Sequence, residues 1–194
     1  MKVVLVGDMH GRSDFVHKIL QFERPEFALQ VGDYMAYNES WEAPLGWISG
    51  NWDKRDVVDA LEQDQLVLPG NNFYLKAGEL YTIAGKDILT LPTFCDYKRE
   101  HRSPAGILSE HIDKCSSHIG KNIDIFISHG CGYPFIAKTA FGTKNVEEKE
   151  VTNIIKLLKP KYVVSGHIHH PSYMEQDGIK FYRMGYQQSC VINI

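Results

Sequence analysis

The chain has 194 residues, 43% apolar and 23% charged, with 16 Gly and 8 Pro. That is enough for one domain with a sizeable core, and it excludes a disordered, collagen-like or coiled-coil protein. A formal charge of −3 gives no field of the kind that binds bulk DNA or a membrane surface.

Val3 to Val6 is a continuous apolar run ended by Gly7-Asp8, which suits a strand buried on both faces. Ser13 then offers an N-cap to a helix with Val16, Ile19 and Leu20 on one stripe, closing near Arg24-Pro25. The pattern returns in Phe27 to Val31, ending at Gly32-Asp33, and in Gly46 to Ser49, ending at Gly50-Asn51 before a short helix with Val57, Val58 and Leu61.

Between residues 65 and 91 the runs Leu66-Val67-Leu68, Phe73-Tyr74-Leu75, Leu80 to Ile83 and Ile88-Leu89-Thr90 predict antiparallel hairpins. Residues 92–122 read as an insertion or lid within a single 1–194 domain, with a helix around Ile107 to Cys115 and a basic cluster from Lys98 to Arg102. Ile123 to Ile127 is a further buried strand, ending at Ser128-His129-Gly130.

Asn145 with Glu148 resembles a capping box, and Val151, Ile154, Ile155 and Leu158 predict the buried stripe of a helix closed by Lys156, Lys159 and Pro160. Tyr162 to Ser165 is a strand ending at Gly166-His167. Three short segments follow, Ser172–Glu175, Ile179–Tyr182 and Ser189–Ile192, with Asp177-Gly178 as a hairpin turn.

Four cysteines, Cys95, Cys115, Cys131 and Cys190, form no C-x-x-C pair and read as reduced thiols. The apolar stretch near Met1 is too short for a signal peptide, and no run approaches the length of a membrane helix. A cytoplasmic location without membrane partners is expected.

Five blocks then stand out, each just past a predicted strand: Asp8-Met9-His10, Gly32-Asp33, Gly50-Asn51, His129-Gly130 and Gly166-His167-Ile168-His169. In open α/β sheets the carboxyl ends of strands face the ligand crevice, so residues far apart in sequence can meet there. Asp8 and His10, two apart at an extended strand end, are expected to point the same way, and His167 and His169 to repeat that geometry. Imidazole, carboxylate and amide oxygen without thiolate suit Mn²⁺, Fe, Zn²⁺, Ni²⁺ or Co²⁺ and argue against a structural zinc site.

In this order the blocks resemble the calcineurin-like metallophosphoesterases, over residues 3–170. The resemblance implies an α/β fold, a four-layer α/β/β/α sandwich of two mixed β-sheets flanked by helices. It implies two divalent ions, Mn²⁺ foremost, one held by Asp8, His10, Asp33 and His169 and the other by Asp33, Asn51, His129 and His167. Asp33 would bridge, with Asp8, Asp33 and Asn51 the catalytic residues, and a hydroxide shared by the ions would hydrolyse a P–O bond.

One position departs from the pattern. Where many members of the family carry a His after Gly-Asn that serves the leaving group, this chain has Trp52. Indole cannot transfer a proton at neutral pH, so activated leaving groups and diesters are expected over monoesters. Asp53, with no His to orient, is expected to cap the following helix.

Arg12, Asn51 and Trp52 are the candidate substrate contacts, with Arg55 and the 98–102 cluster behind them. Tyr34, Tyr37, Tyr133 and Phe135 could wall a pocket, and His17, His101, His111, His118 and His170 stay outside the site. The expected partner is a phosphoester, with nucleotides and nucleic acid among the candidates. A phosphomonoesterase or protein phosphatase is the nearest alternative, and a protein-binding scaffold of the same fold is the alternative from another class.

Overall fold

The computed structural model describes residues 1–92, 109–132, 138–139, 142–143 and 149–194. In chain order these form β1 (Lys2–Val6), α1 (Asp14–Glu23), β2 (Phe27–Gln30), β3 (Leu45–Trp47), α2 (Arg55–Glu62), β4 (Asn72–Tyr74), β5 (Leu80–Ile83) and β6 (Lys86–Leu91). There follow α3 (Ser109–Ser116), β7 (Ile125–Ser128), β8 (Lys138–Thr139), β9 (Gly142–Thr143), α4 (Lys149–Leu158), β10 (Tyr162–Ser165), β11 (Ser172–Gln176), β12 (Ile179–Arg183) and β13 (Ser189–Asn193).

Alternation along the strands builds the layers. In β1, Val3 and Leu5 meet Phe27, Leu29, Ile125, Ile127 and Val164 in a core between two sheets, while Val4 and Val6 turn outward against Val16 and Leu20 of α1. In β7, Ile125 and Ile127 face inward and Phe126 packs outward with Ile154, Ile155 and Leu158 of α4. Each such buried side chain contributes about 1.5–3 kcal/mol, so a one-residue slip that exchanged the faces would be strongly disfavoured. The result is helix, sheet, sheet, helix, as the resemblance implied.

The first sheet has the order β13-β1-β2-β3-β4, with β1 to β4 parallel and β13 antiparallel to β1. The second has the order β11-β12-β10-β7-β6-β5, parallel from β12 to β6 with antiparallel edges. Strands β8 and β9 pair separately.

Several expectations are corrected. Leu66-Val67-Leu68 forms no strand, and Val67 is 90% exposed. Phe73-Tyr74 pairs parallel to β3 rather than in a hairpin, because that placement sends Leu75 into the core between the sheets. The hairpin expected farther on is present as β5–β6, turning through Ala84 and Gly85 with φ of 49° and 75°, the twist that two-residue hairpins favour.

Ser13 sits at the start of α1 without capping it, because its hydroxyl donates to Glu39 Oε1 at 2.7 Å. The α1 helix stops where expected, with Arg24 left-handed and its N–H donating to the Leu20 carbonyl. The α4 stripe is buried as expected. Asn145 and Glu148 lie outside the described residues, as does the 98–102 cluster. The described end of the 92–122 segment, α3, packs on β6 and α4. Among the described residues no helix is long and apolar enough to cross a membrane.

Candidate metal centre

Strands β1, β2 and β3 of one sheet and β7 and β10 of the other point the same end of the chain toward one mouth, and each leaves through a short turn. Asp8, Asp33 and Asn51 come from the first sheet and His129, His167 and His169 from the second, so the site straddles the seam. Hydrogen bonds stitch it across. His129 Nδ1 donates to the Val31 carbonyl at 2.8 Å, and the His167 N–H donates to Asp8 Oδ2 at 3.0 Å.

All seven sequence-predicted ligand residues come together in two groups that share Asp33. In the first, Asp8, His10, Asp33 and His169 each offer one donor atom, all within 4.8 Å of one another. His10 Nε2 stands 3.5 Å from Asp33 Oδ2 and 3.4 Å from His169 Nε2, which stands 3.4 Å from Asp8 Oδ2. In the second, Asn51 Oδ1 lies 2.8 Å from His129 Nε2 and 2.9 Å from His167 Nδ1, with His129 Nε2 3.6 Å from Asp33 Oδ1.

The local backbone explains the convergence, and not as expected. His10, Asp33 and His167 are left-handed, with φ of 47°, 53° and 66°, a conformation that costs a side-chain-bearing residue about 1–2 kcal/mol and that gathers at functional sites. Turns, rather than the pleat of an extended strand, aim Asp8 with His10. They also separate His167 from His169, which serve different groups. Gly32, at φ 101°, must lack a side chain, since a Cβ there would sit 2.5 Å from His129 Nδ1 and 2.9 Å from the Gly50 nitrogen.

Asp53 does not cap α2, whose N-cap position is Lys54. Its buried carboxylate instead accepts hydrogen bonds from the Tyr34 N–H (3.0 Å), the Met35 N–H (3.0 Å), the Gly50 N–H (2.8 Å) and the Tyr37 hydroxyl (2.9 Å). It thereby ties the turn bearing Asp33 to the turn bearing Asn51. Burial raises the pKa of this carboxyl, against the pull of those donors.

The electrostatics favour a cation. Burial, with the neighbouring Asp33 charge, pushes the Asp8 carboxyl up to about 7 although His129 opposes it. Burial and the facing His129 bring His167 down to about 4, and burial also lowers His10. Burial disfavours charge on His129 as well, but Asp33 and Asp8 hold it above its ordinary value.

Among the described residues no lysine or arginine pairs with Asp8 or Asp33, both nearly inaccessible. The Val31 carbonyl can only accept, so His129 Nδ1 carries the proton of the neutral ring and Nε2 keeps its lone pair toward the Asn51 oxygen. Buried carboxylates and facing lone pairs are costly unless a cation satisfies them. The donor set therefore fits divalent metal.

The remaining candidates separate. Trp52 is 48% exposed, its ring 5.9 Å from His10 and its backbone N–H donating to Asp33 Oδ1 at 2.8 Å. Arg12 is exposed just past His10, and Arg55 pairs with Asp59 on α2 at 3.4 Å. Tyr34 is core rather than wall, stacked on Trp47 at 4.3 Å with its hydroxyl accepting from Trp41 Nε1. Tyr37 is committed to Asp53. Tyr133, Phe135 and His101 lie outside the described residues.

His17 binds Glu39 and Glu42, His111 is buried on α3, His118 lies 3.0 Å from Lys121 Nζ, and His170 is exposed. Sequence reasoning missed Tyr186, whose ring lies 5.2 Å from His169 at 28° and 5.3 Å from His10. It follows β12, which runs parallel to β10. The rule that located the other blocks applies to it once that strand's direction is known.

Comparison with known proteins extends this geometry. A family model described as a calcineurin-like phosphoesterase superfamily domain matches residues 1–190. No curated protein sequence matches the chain. Among solved structures, TT1561 of Thermus thermophilus is similar with a TM-score of 0.63 and 12% identity over 96% of this chain and 89% of that one. A novel archaeal phosphodiesterase gives 0.54 and 13% over 99% of each chain. GAP50, the anchor in the inner membrane complex of Plasmodium, gives 0.57 and 12% over 95% and 71%. At these identities the structures establish a shared fold.

Proposed function

The chain belongs to the calcineurin-like phosphoesterase superfamily, and from that premise we propose that it is a dinuclear, divalent-metal-dependent phosphodiesterase. Asp33 carries the reading: one of its carboxylate oxygens faces His10 and the other faces His129. A single residue thus belongs to two donor groups at once.

In this proposal Asp8, His10, Asp33 and His169 hold one ion and Asp33, Asn51, His129 and His167 the second, with Mn²⁺ the preferred metal. When bound, such ions act as Lewis acids on phosphoryl oxygens and make water a nucleophile near neutral pH. The protein's own groups do the positioning. His129 is fixed by its bond to Val31, and Asp53 fixes the turns of Asp33 and Asn51. With Asn51 Oδ1 turned to the two imidazoles, its amide nitrogen is the donor left for a phosphate oxygen, and Arg12 is the nearest exposed cation in sequence.

Trp52 supports diesters over monoesters. Its indole has one N–H and no transferable proton, so a leaving alkoxide must depart on its own stability. A monoanionic diester also needs less positive charge to hold it than a dianionic monoester. Among the described cysteines, Cys115 and Cys190 are in no disulfide, which supports a reducing, cytoplasmic compartment.

The test is turnover of bis(p-nitrophenyl) phosphate against p-nitrophenyl phosphate with Mn²⁺, on wild type, Asp33→Asn and Asn51→Ala, with bound metal counted. The diester is expected to be faster and to need both residues. A much faster monoester, or activity indifferent to both substitutions, would overturn the reading.

A further inference from the structure

The apolar run of β2 is broken by one polar residue, Gln30, which is wholly inaccessible. On its strand it shares the face of Ala28, and in register it lies between Val6 of β1 and Trp47 of β3, all three of them part of the apolar layer that packs on α1. An amide in such a place is costly unless its groups are bonded.

They are bonded, and to the two turns that present carboxylates. Gln30 Oε1 accepts from the Gly32 N–H at 3.0 Å, while Nε2 donates to the Gly32 carbonyl and to the Gly7 carbonyl, the latter at 3.2 Å. Gly7 immediately precedes Asp8, and Gly32 immediately precedes Asp33. The side chain thus acts as an extra peptide unit set between two turns. It grips both peptide planes of Gly32, a residue at φ 101° whose backbone has the most freedom to lose, and so fixes the direction in which the chain leaves for Asp33.

This arrangement needs two N–H donors and an acceptor at the end of two methylenes. Glutamate lacks the donors, and asparagine is one methylene short. We propose that Gln30 is a positioning residue for the metal centre, its amide holding the Asp8 and Asp33 turns at a fixed separation. This rests on the metal-binding reading above and names what sets the spacing of its two carboxylates. Asp53 ties the Asp33 turn to the Asn51 turn, so Gln30 and Asp53 together link all three turns of the first sheet.

The test compares Gln30→Met, which keeps the length and removes every one of these bonds, with Val16→Ala, which loosens the same layer from α1 and touches neither turn. Urea midpoints on the full chain establish that each variant is folded under the working condition. Mn²⁺ affinity is expected to fall about tenfold in Gln30→Met and to hold in Val16→Ala, and the exchange-coupled electron paramagnetic resonance signal of the ion pair should weaken in Gln30→Met alone. Unchanged affinity and coupling in Gln30→Met, or an equal loss in both variants, would overturn the proposal. Should Gln30→Met not fold, Gln30→Asn, whose amide cannot reach both turns, carries the same expectations.

A metal-free measurement separates the two readings. Amide hydrogen exchange over residues 7–10 and 32–35 should quicken in Gln30→Met and not in Val16→Ala. If wild type binds no Mn²⁺ pair, the dinuclear reading fails and exchange still decides the role of Gln30: faster exchange of those turns in Gln30→Met alone sustains it, and any other pattern sinks it.

Discussion

The Asn51 amide oxygen stands 2.8 Å from His129 Nε2 and 2.9 Å from His167 Nδ1, and in the neutral tautomer fixed by Val31 the first of these contacts joins two lone pairs. A cation between them turns repulsion into ligation. Adding Mn²⁺ at about a hundred times its dissociation constant should therefore raise the melting temperature by roughly 5–10 °C. In Asn51→Leu the lone-pair conflict is gone, so at a pH above the raised pKa of His129, where that ring is neutral, the metal-free protein should melt no lower than wild type while the response to Mn²⁺ shrinks. Calorimetry with and without chelator checks both statements.

Asp53 satisfies three backbone N–H groups and the Tyr37 hydroxyl in a buried place. Asp53→Ala leaves those donors stranded and should cost about 2–4 kcal/mol, visible as a lower urea midpoint. Because the same bonds hold the Asp33 and Asn51 turns, Mn²⁺ affinity should also fall. Asp53→Asn, which keeps one acceptor oxygen, should recover part of each.

Trp52→His supplies the proton donor that the wild type lacks. For a monoester with a poor leaving group, such as phenyl phosphate, turnover should rise about 10- to 100-fold, within the range for general acid catalysis. For p-nitrophenyl esters, whose leaving group needs no proton, the change should be small. No gain for phenyl phosphate would remove Trp52 as the determinant of leaving-group preference.

The link from α1 to the segment before β3 is sensitive to pH. Burial disfavours charge on His17, but hydrogen bonds to Glu42 and Glu39 outweigh it and raise its pKa above the ordinary 6.5. Glu39 is lowered by bonds from Ser13 and His17. Burial works against Glu42, yet bonds from its own backbone, His17 and Gln21 bring it below the ordinary 4.5.

The His17 contribution is fully present below pH 6.5 and is lost as pH rises through its folded value. The glutamate contribution is present above 4.5 and is lost as pH falls through theirs. Both therefore operate between about pH 4.5 and 6.5. These groups are partly exposed, so the effect is at most about 1 kcal/mol. Urea midpoints of wild type and His17→Gln should differ most within that window and converge above it.

Much of the site was legible because a buried parallel strand announces itself twice, by an apolar run such as Val3 to Val6 and by the glycine and polar residue that end it. The direction of pairing was not. Phe73-Tyr74 has the same composition as a hairpin arm and pairs parallel to β3, for which only the burial of Leu75 in three dimensions decides.

Tyr186 was hidden by the same ambiguity, since its place depends on β12 running beside β10. The left-handed turns at His10 and His167 were illegible because histidine adopts that conformation only in a minority of cases, and the surroundings impose it here. Asp53 sits where a helix cap is the local expectation, and its real partners are 16 to 19 residues earlier or three residues back.

The seam between the two sheets has a further consequence. Asp8, Asp33 and Asn51 travel with one sheet and His129, His167 and His169 with the other, while Leu29 and Ile127 set how the sheets sit on each other from within. The donor cluster is thus a caliper across the core. A substitution such as Ile127→Val, which reaches no donor atom, would be read at the site as a changed gap. Metal affinity would then report the packing of an interior that the ion never touches.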